Sequence, residues 1–523
     1  MNELDSELVR GQLSALGYRF TEDPAAAEIV LFNTCSVRDQ AEQKVRSRVG
    51  IVAAQKREGR SVVLGLLGCM AEREGLNLLR QHPHIDLLCG PGQLDRLPLL
   101  LDNLRRTSGS LPTAERAALS GNTSRRTATL AAAEDGLEAL DLSRSFDPQG
   151  SARPWSAYVR ITRGCNKFCT YCVVPATRGA EVHRPPDAIV EECRRLVEGG
   201  VIEITLLGQT VNHYRYSHGL AMTIDGREAP QIGPGLSAFR NSTSDSQQTT
   251  TFAQLLRRIH DEIPELPRLR FVTSYPRDLG DDVMAALAEC PRICRYLHMP
   301  AQSGSDRMLR AMNRGYTVSE YLETVERAVA SLPDVTIAGD IIVGFPGETD
   351  EDFAATEALL RRVPFKNNFI FKYSPRPGTV AFDRLEDDVP DEVKRARNNR
   401  LLDLQSEVSR AVHAGWVGRR VGVLFDRAGR APEPKPRTGN VELRWQTADT
   451  DAHARVGGTW QACGRTPGDL IVAVECPDES TAQGLVGTIA EVEVLGSGPL
   501  LLRAALANSE RPTHESIAWS TEH

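Results

Sequence analysis

Three cysteines, Cys165, Cys169 and Cys172, stand at C-x3-C-x2-C spacing in the segment Arg163-Gly-Cys-Asn-Lys-Phe-Cys-Thr-Tyr-Cys. Three thiolates on one short loop can ligate three irons of a cubane cluster, which leaves the fourth iron open to a cofactor or substrate. A closed structural zinc site normally needs four ligands, and the next histidine, His183, is well downstream. The triplet therefore predicts an open iron–sulfur cluster, with structural zinc and coincidental packing as the alternatives.

A regular alternation of strand and helix patterns begins at this triplet, with helical patterns such as Asp187–Glu198 and Asp352–Arg362 between apolar segments. The predicted strands are Tyr158–Arg163, Glu203–Gly208, Arg268–Ser274, Tyr296–Pro300, Val335–Val343 and Lys366–Tyr373. Six βα units in series predict a partial (β/α)6 barrel, in which chemistry gathers at the carboxyl ends of the strands. The segment 214–250 interrupts the pattern with polar and turn residues, which predicts a surface insertion.

The N-terminal part of the chain shows the same alternation on a smaller scale. Glu28–Thr34 and Ser61–Gly68 are apolar runs followed by helical patterns, which predict an α/β domain with a parallel sheet. Cys35 and Cys69 stand just past the ends of these two strands. Open α/β sheets bind ligands at that edge, so both cysteines are candidate ligands.

The composition of the chain indicates its cellular compartment. Its eleven cysteines are an odd number, which argues against a disulfide framework, and its acidic start has no apolar signal core. These features predict a cytoplasmic protein, and the lack of any apolar run of about eighteen residues predicts no membrane span. The net charge of −7 argues against indiscriminate nucleic-acid binding. The scattered cysteines are predicted to be packed as small apolar residues, namely Cys193, Cys290, Cys294, Cys463 and Cys476.

The pattern changes twice more along the chain. Residues 106–152 lose the periodicity and are predicted to form a mobile linker. The helical connector 391–416 lies in a stretch, 391–420, with seven basic and four acidic residues, which is either a solvated helix face or a basic contact surface. Residues 417–505 predict a small antiparallel barrel or sandwich, and 506–523 predict a disordered tail. The strand patterns there are Val421–Phe425, Val441–Trp445, Leu470–Val474 and Thr488–Val494.

The triplet at the head of a βα series resembles the radical S-adenosylmethionine superfamily. The resemblance implies a 4Fe-4S cluster on the three cysteines, whose open iron binds S-adenosylmethionine and yields a deoxyadenosyl radical. It also implies that the loop Gly339–Thr349 lines the cofactor, although the same loop could be a plain strand-to-helix turn with Thr349 as N-cap. The cofactor contacts implied in this way are Phe168, Tyr171, Gln209, Asp340, Gly344 and Glu348.

Further motifs resemble the methylthiotransferases within that superfamily. They are Asn33-Thr-Cys-Ser-Val-Arg, Gly68-Cys-Met-Ala, Val174-Pro-Ala-Thr-Arg-Gly, Leu207-Gly-Gln-Thr-Val-Asn, His298-Met-Pro-Ala-Gln-Ser-Gly and Tyr373-Ser-Pro-Arg-Pro-Gly-Thr. The resemblance covers roughly 1–95 and 155–500 and implies a second 4Fe-4S cluster on the N-terminal domain and a C-terminal RNA-binding TRAM domain, where Gly464-Arg-Thr fits. The implied domains are 1–105, linker 106–152, radical core 153–390, connector 391–416, TRAM 417–505 and tail 506–523.

The Asn33-Thr-Cys-Ser-Val-Arg motif is most similar to the branch that acts on N6-dimethylallyladenosine, position 37 beside the tRNA anticodon. The implied reaction is methylthiolation of adenine C2. One S-adenosylmethionine methylates sulfur on the second cluster, and another supplies the radical that removes the C2 hydrogen. The implied partners are the tRNA anticodon loop and a flavodoxin or ferredoxin electron donor, with the enzyme a monomer. Alternatives are threonylcarbamoyladenosine or a ribosomal protein as substrate, or an RNA-binding protein impaired in transfer.

Three polar residues near predicted strand ends, Asn212, Gln302 and Arg314, are candidate substrate contacts. The resemblance suggests this role for them. A loop hydrogen bond would explain each residue equally well.

The chain departs from the family at the second cluster, which uses three cysteines, because only Cys35 and Cys69 match. The first normally lies in Gly-Cys-Gln-Met-Asn after an opening strand, and Met1-Asn2-Glu3 resembles the end of that motif. We therefore expect the opening strand and the third ligand to lie upstream of Met1. The alternatives are a chain that lacks this ligand, and substitution by Cys89, which the family pattern makes a core residue.

Overall fold

The structure, a computed structural model, describes residues 1–36, 39–107, 118–119, 140–141, 153–219, 223–224, 227–228, 230–233, 248–431 and 458–507. The chain divides into two compact units, Met1–Gln405 and Ser406–His523. Most of the predicted linker 106–152, the predicted strand Val441–Trp445 and the tail beyond residue 507 lie outside the described residues. None of the described helices combines the length and the apolar character needed to cross a membrane.

The first unit begins with helices packed on a parallel sheet. The elements are α1 (Asn2–Ala15), β1 (Ile29–Thr34), α2 (Asp39–Arg57), β2 (Val63–Gly68), α3 (Cys69–Glu74), α4 (Leu76–Gln81), β3 (Leu87–Cys89), α5 (Leu97–Thr107) and β4 (Ala118–Leu119). The strand order is β1-β2-β3-β4, with every pair parallel. The central strands β2 and β3 are almost wholly buried, as expected of parallel strands covered on both faces. The predicted N-terminal parallel α/β layer is confirmed.

The register of β1 and β2 brings their carboxyl ends together, because Thr34 pairs with Gly68. The Thr34 hydroxyl donates to the Leu67 carbonyl at 2.6 Å and accepts from the Met70 amide at 3.1 Å. Cys35 and Cys69 therefore leave neighbouring strands at one edge of the sheet.

Gly68 makes this close approach possible. Its φ is +88°, and an added Cβ would lie 2.5 Å from the Thr34 carbonyl oxygen. We expect Gly68→Ala to lower the local opening free energy of β1 and β2 by about 2–4 kcal/mol, since backbone strain alone costs about 1–3 kcal/mol. Amide hydrogen exchange of these strands measures the loss. The control is Gly59→Ala, at φ +97° with no atom within 4 Å, and an equal loss in both variants would contradict the steric account.

The rest of the first unit holds the predicted partial barrel. Its elements are β5 (Ser156–Arg160), β6 (Thr162–Arg163), α6 (Val174–Thr177), β7 (Val182–His183), α7 (Pro186–Glu198), β8 (Glu203–Leu207), β9 (Arg215–Ser217), β10 (Thr223–Ile224), β11 (Arg227–Glu228), β12 (Gln231–Ile232), β13 (Thr249–Thr251), α8 (Phe252–Glu262), β14 (Arg268–Phe271), α9 (Asp281–Glu289), β15 (Tyr296–His298), α10 (Asp306–Ala311), α11 (Val318–Ser331), β16 (Thr336–Val343), α12 (Asp350–Arg362), β17 (Phe365–Lys372) and α13 (Val380–Arg384), followed by α14 (Asp391–Ala414), in which the unit boundary falls.

Six of these strands form the parallel wall of the barrel. β5, β8 and β14 pair in parallel, and so do β15, β16 and β17. A parallel bridge from Leu269 on β14 to Ile293, just before β15, joins the two sets. Each of the six predicted strands overlaps one of these, so the six-fold βα series is confirmed.

The prediction of a surface insertion at 214–250 is wrong for the ends of that segment. β9 and β13 pair antiparallel, and Tyr214 and Tyr216 are buried. β12 pairs with β7, close to the cysteine loop. The two tyrosines stand at alternate positions, as expected of a strand with one buried face. This pattern is short and lies among many turn-forming residues, so the sequence did not reveal it.

The second unit contains the elements β18 (Arg420–Arg430), β19 (Trp460–Arg465), β20 (Ile471–Cys476), α15 (Glu479–Leu485), β21 (Ile489–Ser497) and β22 (Leu502–Leu506). The five strands form a closed barrel in the order β18-β19-β20-β22-β21. All pairs are antiparallel except β20 with β22. A Cβ on Gly464 would lie 2.2 Å from the Leu424 carbonyl oxygen, so this glycine lets the strands approach. Of the two predicted all-β forms, the barrel is confirmed.

Candidate active site

The cysteine triplet lies on the loop between β6 and α6. Gly164, at φ +69°, brings this loop against Ala180, where a Cβ would lie 2.0 Å from the carbonyl oxygen. Burial raises the pKa of the Cys165 thiol above its usual range and that of Cys172 to about 12. Thiolates at these positions therefore need added positive charge, and a bound metal cluster supplies it. Three free thiols on one loop fit three ligands of an iron–sulfur cluster.

Arg314 covers one side of the triplet. One guanidinium nitrogen, Nη1, lies 3.4 Å from Cys169 Sγ and 3.4 Å from the Tyr171 hydroxyl. The other, Nη2, donates to the Pro300 carbonyl at 3.0 Å, and Nε donates to the Tyr316 hydroxyl at 3.0 Å. The side chain is buried, so a permanent charge faces a candidate cluster ligand. The structure places Arg314 against the cysteine loop, whereas the sequence suggested a substrate contact.

The aromatic residues of the loop are held by α10 and the turn after it. Thr170 donates from its amide to the Met312 carbonyl at 3.1 Å, and Asn313 donates to the Phe168 carbonyl at 2.9 Å. Phe168 has φ +51°, a conformation that a bulky side chain rarely adopts outside functional sites. Tyr171 packs against the apolar cluster around Met308. The predicted contacts Phe168 and Tyr171 thus belong to a rigidly positioned loop.

Three predicted contacts lie at or near the carboxyl ends of barrel strands. Gln302 follows β15 at φ +71°, and its backbone amide donates to the Asp340 backbone carbonyl on β16 at 2.8 Å. The Asp340 carboxylate lies 3.5 Å from His298 Nε2. Gln209 follows β8, and its side-chain amide makes no hydrogen bond to another described residue. These three side chains are placed where barrel enzymes bind ligands.

Asn212 has a different environment, because both ends of its amide are used within the protein. Its Nδ2 donates to the Tyr275 carbonyl at 2.8 Å, and its Oδ1 accepts from the Tyr275 amide at 2.8 Å. Asn212 therefore connects the loop after β8 to the loop after β14. This is the loop hydrogen bond that the sequence analysis gave as the alternative to a substrate contact.

Glu348 and Gly344 shape the loop that leads from β16 into α12. The Gly344 amide donates to Glu348 Oε2 at 2.7 Å, and Arg397 donates to the same oxygen at 2.8 Å. Burial raises the pKa of the Glu348 carboxyl. Thr349 caps α12 in a capping box with Asp352, so the predicted N-cap is confirmed. The Glu348 carboxylate is thus engaged in holding the loop.

Cys69 of the N-terminal cysteine pair lies close to the triplet. Arg178, just after α6, has a side chain that is only 6% exposed, and it donates to Asp5 at 2.7 Å and to Asn2 at 3.0 Å. Burial lowers the pKa of Arg178, but the charges of Asp5 and Cys69 outweigh this effect and raise it. α3, which begins at Cys69, packs against α6, which follows Cys172. Burial and the neighbouring Cys169 raise the pKa of Cys172, and Cys69 adds a smaller contribution. Cys69 and the triplet therefore belong to one site.

Cys89 lies elsewhere, in the core under α1. It packs in an apolar cluster with Leu4 and Leu13, and its thiol donates to the Gln93 carbonyl at 3.2 Å. Burial raises its pKa to about 12. These surroundings are those of a packed thiol.

A buried charge network beside the site was missed by sequence reasoning. Arg160 on β5 donates to Asp141 at 2.5 Å and lies 3.9 Å from Asp5. Asp141 falls in the predicted mobile linker, and its burial shows that this prediction is wrong at that residue. The sequence signal for this network was an arginine inside an apolar strand. A buried arginine requires acidic partners, so its position indicated that such partners lie nearby.

Comparison with known proteins identifies the chain. The Radical SAM superfamily profile matches residues 159–360, and that of Uncharacterized protein family UPF0004 matches residues 1–90. A tRNA-2-methylthio-N(6)-dimethylallyladenosine synthase from Rhodopirellula baltica is 38% identical over 498 residues, 95% of each chain. The chain belongs to the tRNA-2-methylthio-N(6)-dimethylallyladenosine synthase family. The synthase of the same name from Sorangium cellulosum is 40% identical over 513 residues, 98% of this chain and 92% of that one.

Among solved structures, the chain is similar to a radical S-adenosylmethionine methyltransferase from Kitasatospora setae. The sequence identity is 16%, the match covers 72% of this chain and 73% of that chain, and the TM-score is 0.47.

Membership of the synthase family confirms the predictions of a radical S-adenosylmethionine enzyme and of 4Fe-4S clusters with S-adenosylmethionine as cofactors. It also agrees with the α/β fold class and the small C-terminal barrel. The individual ligands, the contact residues and the domain bounds stay predictions.

Proposed function

We propose that this chain replaces the hydrogen on C2 of N6-dimethylallyladenosine at position 37 of tRNA with a methylthio group. The observation that carries the proposal is the closeness of Cys69 to the triplet, because α3, which begins at Cys69, packs on α6, which follows Cys172. Sulfur insertion needs a radical source and a sulfur carrier within reach of the same carbon. A single site with two cysteine sets meets that requirement.

The chain's own residues hold and orient the cofactors. Cys165, Cys169 and Cys172 are the proposed ligands of the radical cluster, and Cys35 and Cys69 are proposed ligands of the second cluster. When bound, the clusters and S-adenosylmethionine supply the radical and the methylated sulfur. Cys89 is left out of the ligand set because its thiol is packed in the core.

Two arginines act as positioning residues. Arg314 donates toward Cys169 Sγ, and the charges of Asp5 and Cys69 raise the pKa of Arg178 against the effect of burial. Hydrogen bonds to ligating sulfur stabilise the thiolate and tune the reduction potential of a cluster. Neither arginine can lose its proton, so the two thiolates keep their counter-charges throughout the reaction.

S-adenosylmethionine is proposed to lie across the strand ends of the barrel, where Gln209, Asp340 and Gln302 stand. Gly344 lets its loop pack closely against Lys394, because an added Cβ would lie 2.3 Å from Lys394 Cγ. Phe168 and Tyr171 form the wall beside the cluster. Asn212 keeps the loop that follows β8 in place.

The C-terminal barrel is proposed to bind the tRNA as a TRAM domain. Arg430 lies over the Trp460 ring at 5.1 Å, and Arg419 lies over the Trp416 ring at 5.0 Å. Arginine and aromatic side chains together bind phosphates and stack on unpaired bases, as in an anticodon loop. We also propose a flavodoxin or ferredoxin as electron donor, a monomeric enzyme, and a cytoplasmic location, where tRNA and reduced thiols occur together.

We expect Trp460→Ala and Arg430→Ala each to weaken tRNA binding about tenfold, because stacking on one aromatic ring contributes about 1–3 kcal/mol. Filter binding or fluorescence anisotropy at one fixed salt concentration measures the change. The control is Arg361→Ala, which removes an exposed arginine on α12. Unchanged affinity in both barrel variants would remove this surface from the proposal.

The function is tested by mass spectrometry of tRNA nucleosides from a deletion strain. We expect loss of the 2-methylthio prenyladenosine, accumulation of the unmodified prenyladenosine, and restoration by the wild-type gene. An unchanged 2-methylthio level would contradict the proposal. Loss of a methylthio group from threonylcarbamoyladenosine or from a ribosomal protein would move the activity to that substrate.

A further inference from the structure

Three metal-ligating side chains meet next to the cysteine loop, outside the ligand sets described above. Glu181 directly precedes β7, His183 is its last residue, and His213 ends the 3-10 turn Val211–His213. Glu181 Oε1 lies 2.7 Å from His183 Nε2 and 2.7 Å from His213 Nδ1. The three ligand atoms all lie within 4.8 Å of one another. This spacing is small enough for one cation to bind all three.

The surroundings orient these groups as metal ligands are oriented. His183 Nδ1 lies 2.7 Å from the Arg215 carbonyl oxygen and 3.1 Å from the Arg215 amide nitrogen. The shorter contact, with the carbonyl, turns Nε2 toward Glu181. A ring N–H held by a backbone carbonyl is the usual second contact of a metal-bound histidine. Thr210 contacts Glu181 Oε2 at 3.4 Å, and the Glu181 amide donates to Asn166 at 3.0 Å.

The buried negative charge of Glu181 also favours a bound cation. Glu181 is fully buried, and among the described residues it pairs with two imidazoles and with no lysine or arginine. A buried carboxylate requires a positive partner. The His213 side chain is 20% exposed, which leaves an open side for a water ligand.

We propose that Glu181, His183 and His213 bind a divalent transition metal of the Zn²⁺ class, separate from the two iron–sulfur clusters. Two imidazole nitrogens and a carboxylate are a common protein ligand set for Zn²⁺, with water in the fourth position. Gly233 supports the assignment, because a Cβ there would lie 2.8 Å from His183 Nε2 and crowd the ligand atom.

The metal would clamp the base of the cysteine loop. Asn166, between Cys165 and Cys169, accepts from the Glu181 amide and donates to the Gly233 carbonyl at 3.2 Å. The ion would thereby join β7 to the turn after β8, while Asn166 joins the cysteine loop to Gly233, just past β12. Its role is structural and requires no change in the chemistry of methylthio transfer.

The test is metal analysis of the full-length enzyme with its iron–sulfur clusters reconstituted, so that the cluster cysteines are occupied. We expect about one zinc per chain in the wild type and at least a fivefold loss in His213→Ala and His183→Ser, with iron content and cluster absorbance unchanged. Replacement by Co²⁺ should give the visible absorption bands of a tetrahedral site in the wild type alone. The control is His218→Ala, whose ring contacts Thr250 instead.

Two outcomes would overturn the proposal. One is a wild-type enzyme without zinc that also gives no cobalt bands, which would leave a hydrogen-bonded carboxylate and two imidazoles. The other is zinc that stays bound in His213→Ala. If His183→Ser loses iron because it folds poorly, the more exposed His213 position still decides the result.

Discussion

Replacing Cys169 with alanine is expected to abolish methylthio transfer and the cleavage of S-adenosylmethionine together. The variant leaves two thiolates for three irons and removes the sulfur that faces Arg314. We expect reconstituted iron to fall from about eight to about four per chain if both clusters are whole in the wild type. Product formation should fall at least about 1,000-fold, which corresponds to about 4 kcal/mol.

Anaerobic iron analysis, electron paramagnetic resonance of the reduced enzyme and deoxyadenosine formation measure this loss. The matched control is Cys193→Ala, which removes a fully buried cysteine on α7. It should keep its iron and its activity. A Cys169→Ala enzyme that still forms deoxyadenosine at the wild-type rate would show that the triplet does not hold the radical cluster.

Replacing Cys69 with alanine should separate the two halves of the reaction. The radical cluster keeps its three cysteines, so S-adenosylmethionine is still cleaved to deoxyadenosine. The second cluster loses a ligand, so iron should fall to about four per chain. The 2-methylthio product should fall at least about 1,000-fold, or about 4 kcal/mol.

The control for this variant is Cys89→Ala, which removes a packed thiol from the core under α1. It should retain iron and product and lose about 1 kcal/mol of stability from the small cavity. Product from Cys69→Ala would contradict the role of Cys69. Loss of iron from Cys89→Ala would instead make Cys89 a ligand.

The parts of the fold that sequence analysis predicted are those specified by local patterns. The six strands from Ser156 to Lys372 were predictable because each is a short segment between helical patterns. The triplet was predictable because its three cysteines are local in sequence. Thr349 was predictable as an N-cap because the capping residues lie three apart.

The parts that were missed depend on contacts between distant segments. Asp5 and Asp141 converge on Arg160 from positions far apart in the chain, and no local pattern indicates that meeting. Arg314 could be placed near the site, but its contact with Cys169 depends on the turn after α10. Trp460–Arg465 is a strand whose apolar character is weak, and only barrel closure reveals it.

The family resemblance implied a second cluster, but the spacing of the cysteines did not indicate that Cys69 lies close to the triplet. The β1–β2 register explains why Cys35 and Cys69 share a sheet edge. Only the packing of α3 on α6 brings that edge to the triplet. This contact is the basis of the proposed reaction.

The most direct test of the account follows deuterium from the adenine C2 of a tRNA that carries N6-dimethylallyladenosine. The purified, reconstituted enzyme is given this tRNA, S-adenosylmethionine and a reductant, and the products are separated by mass spectrometry. The account predicts 2-methylthio product together with deoxyadenosine that carries the deuterium. Unlabelled deoxyadenosine, with the deuterium still in the tRNA, would contradict it.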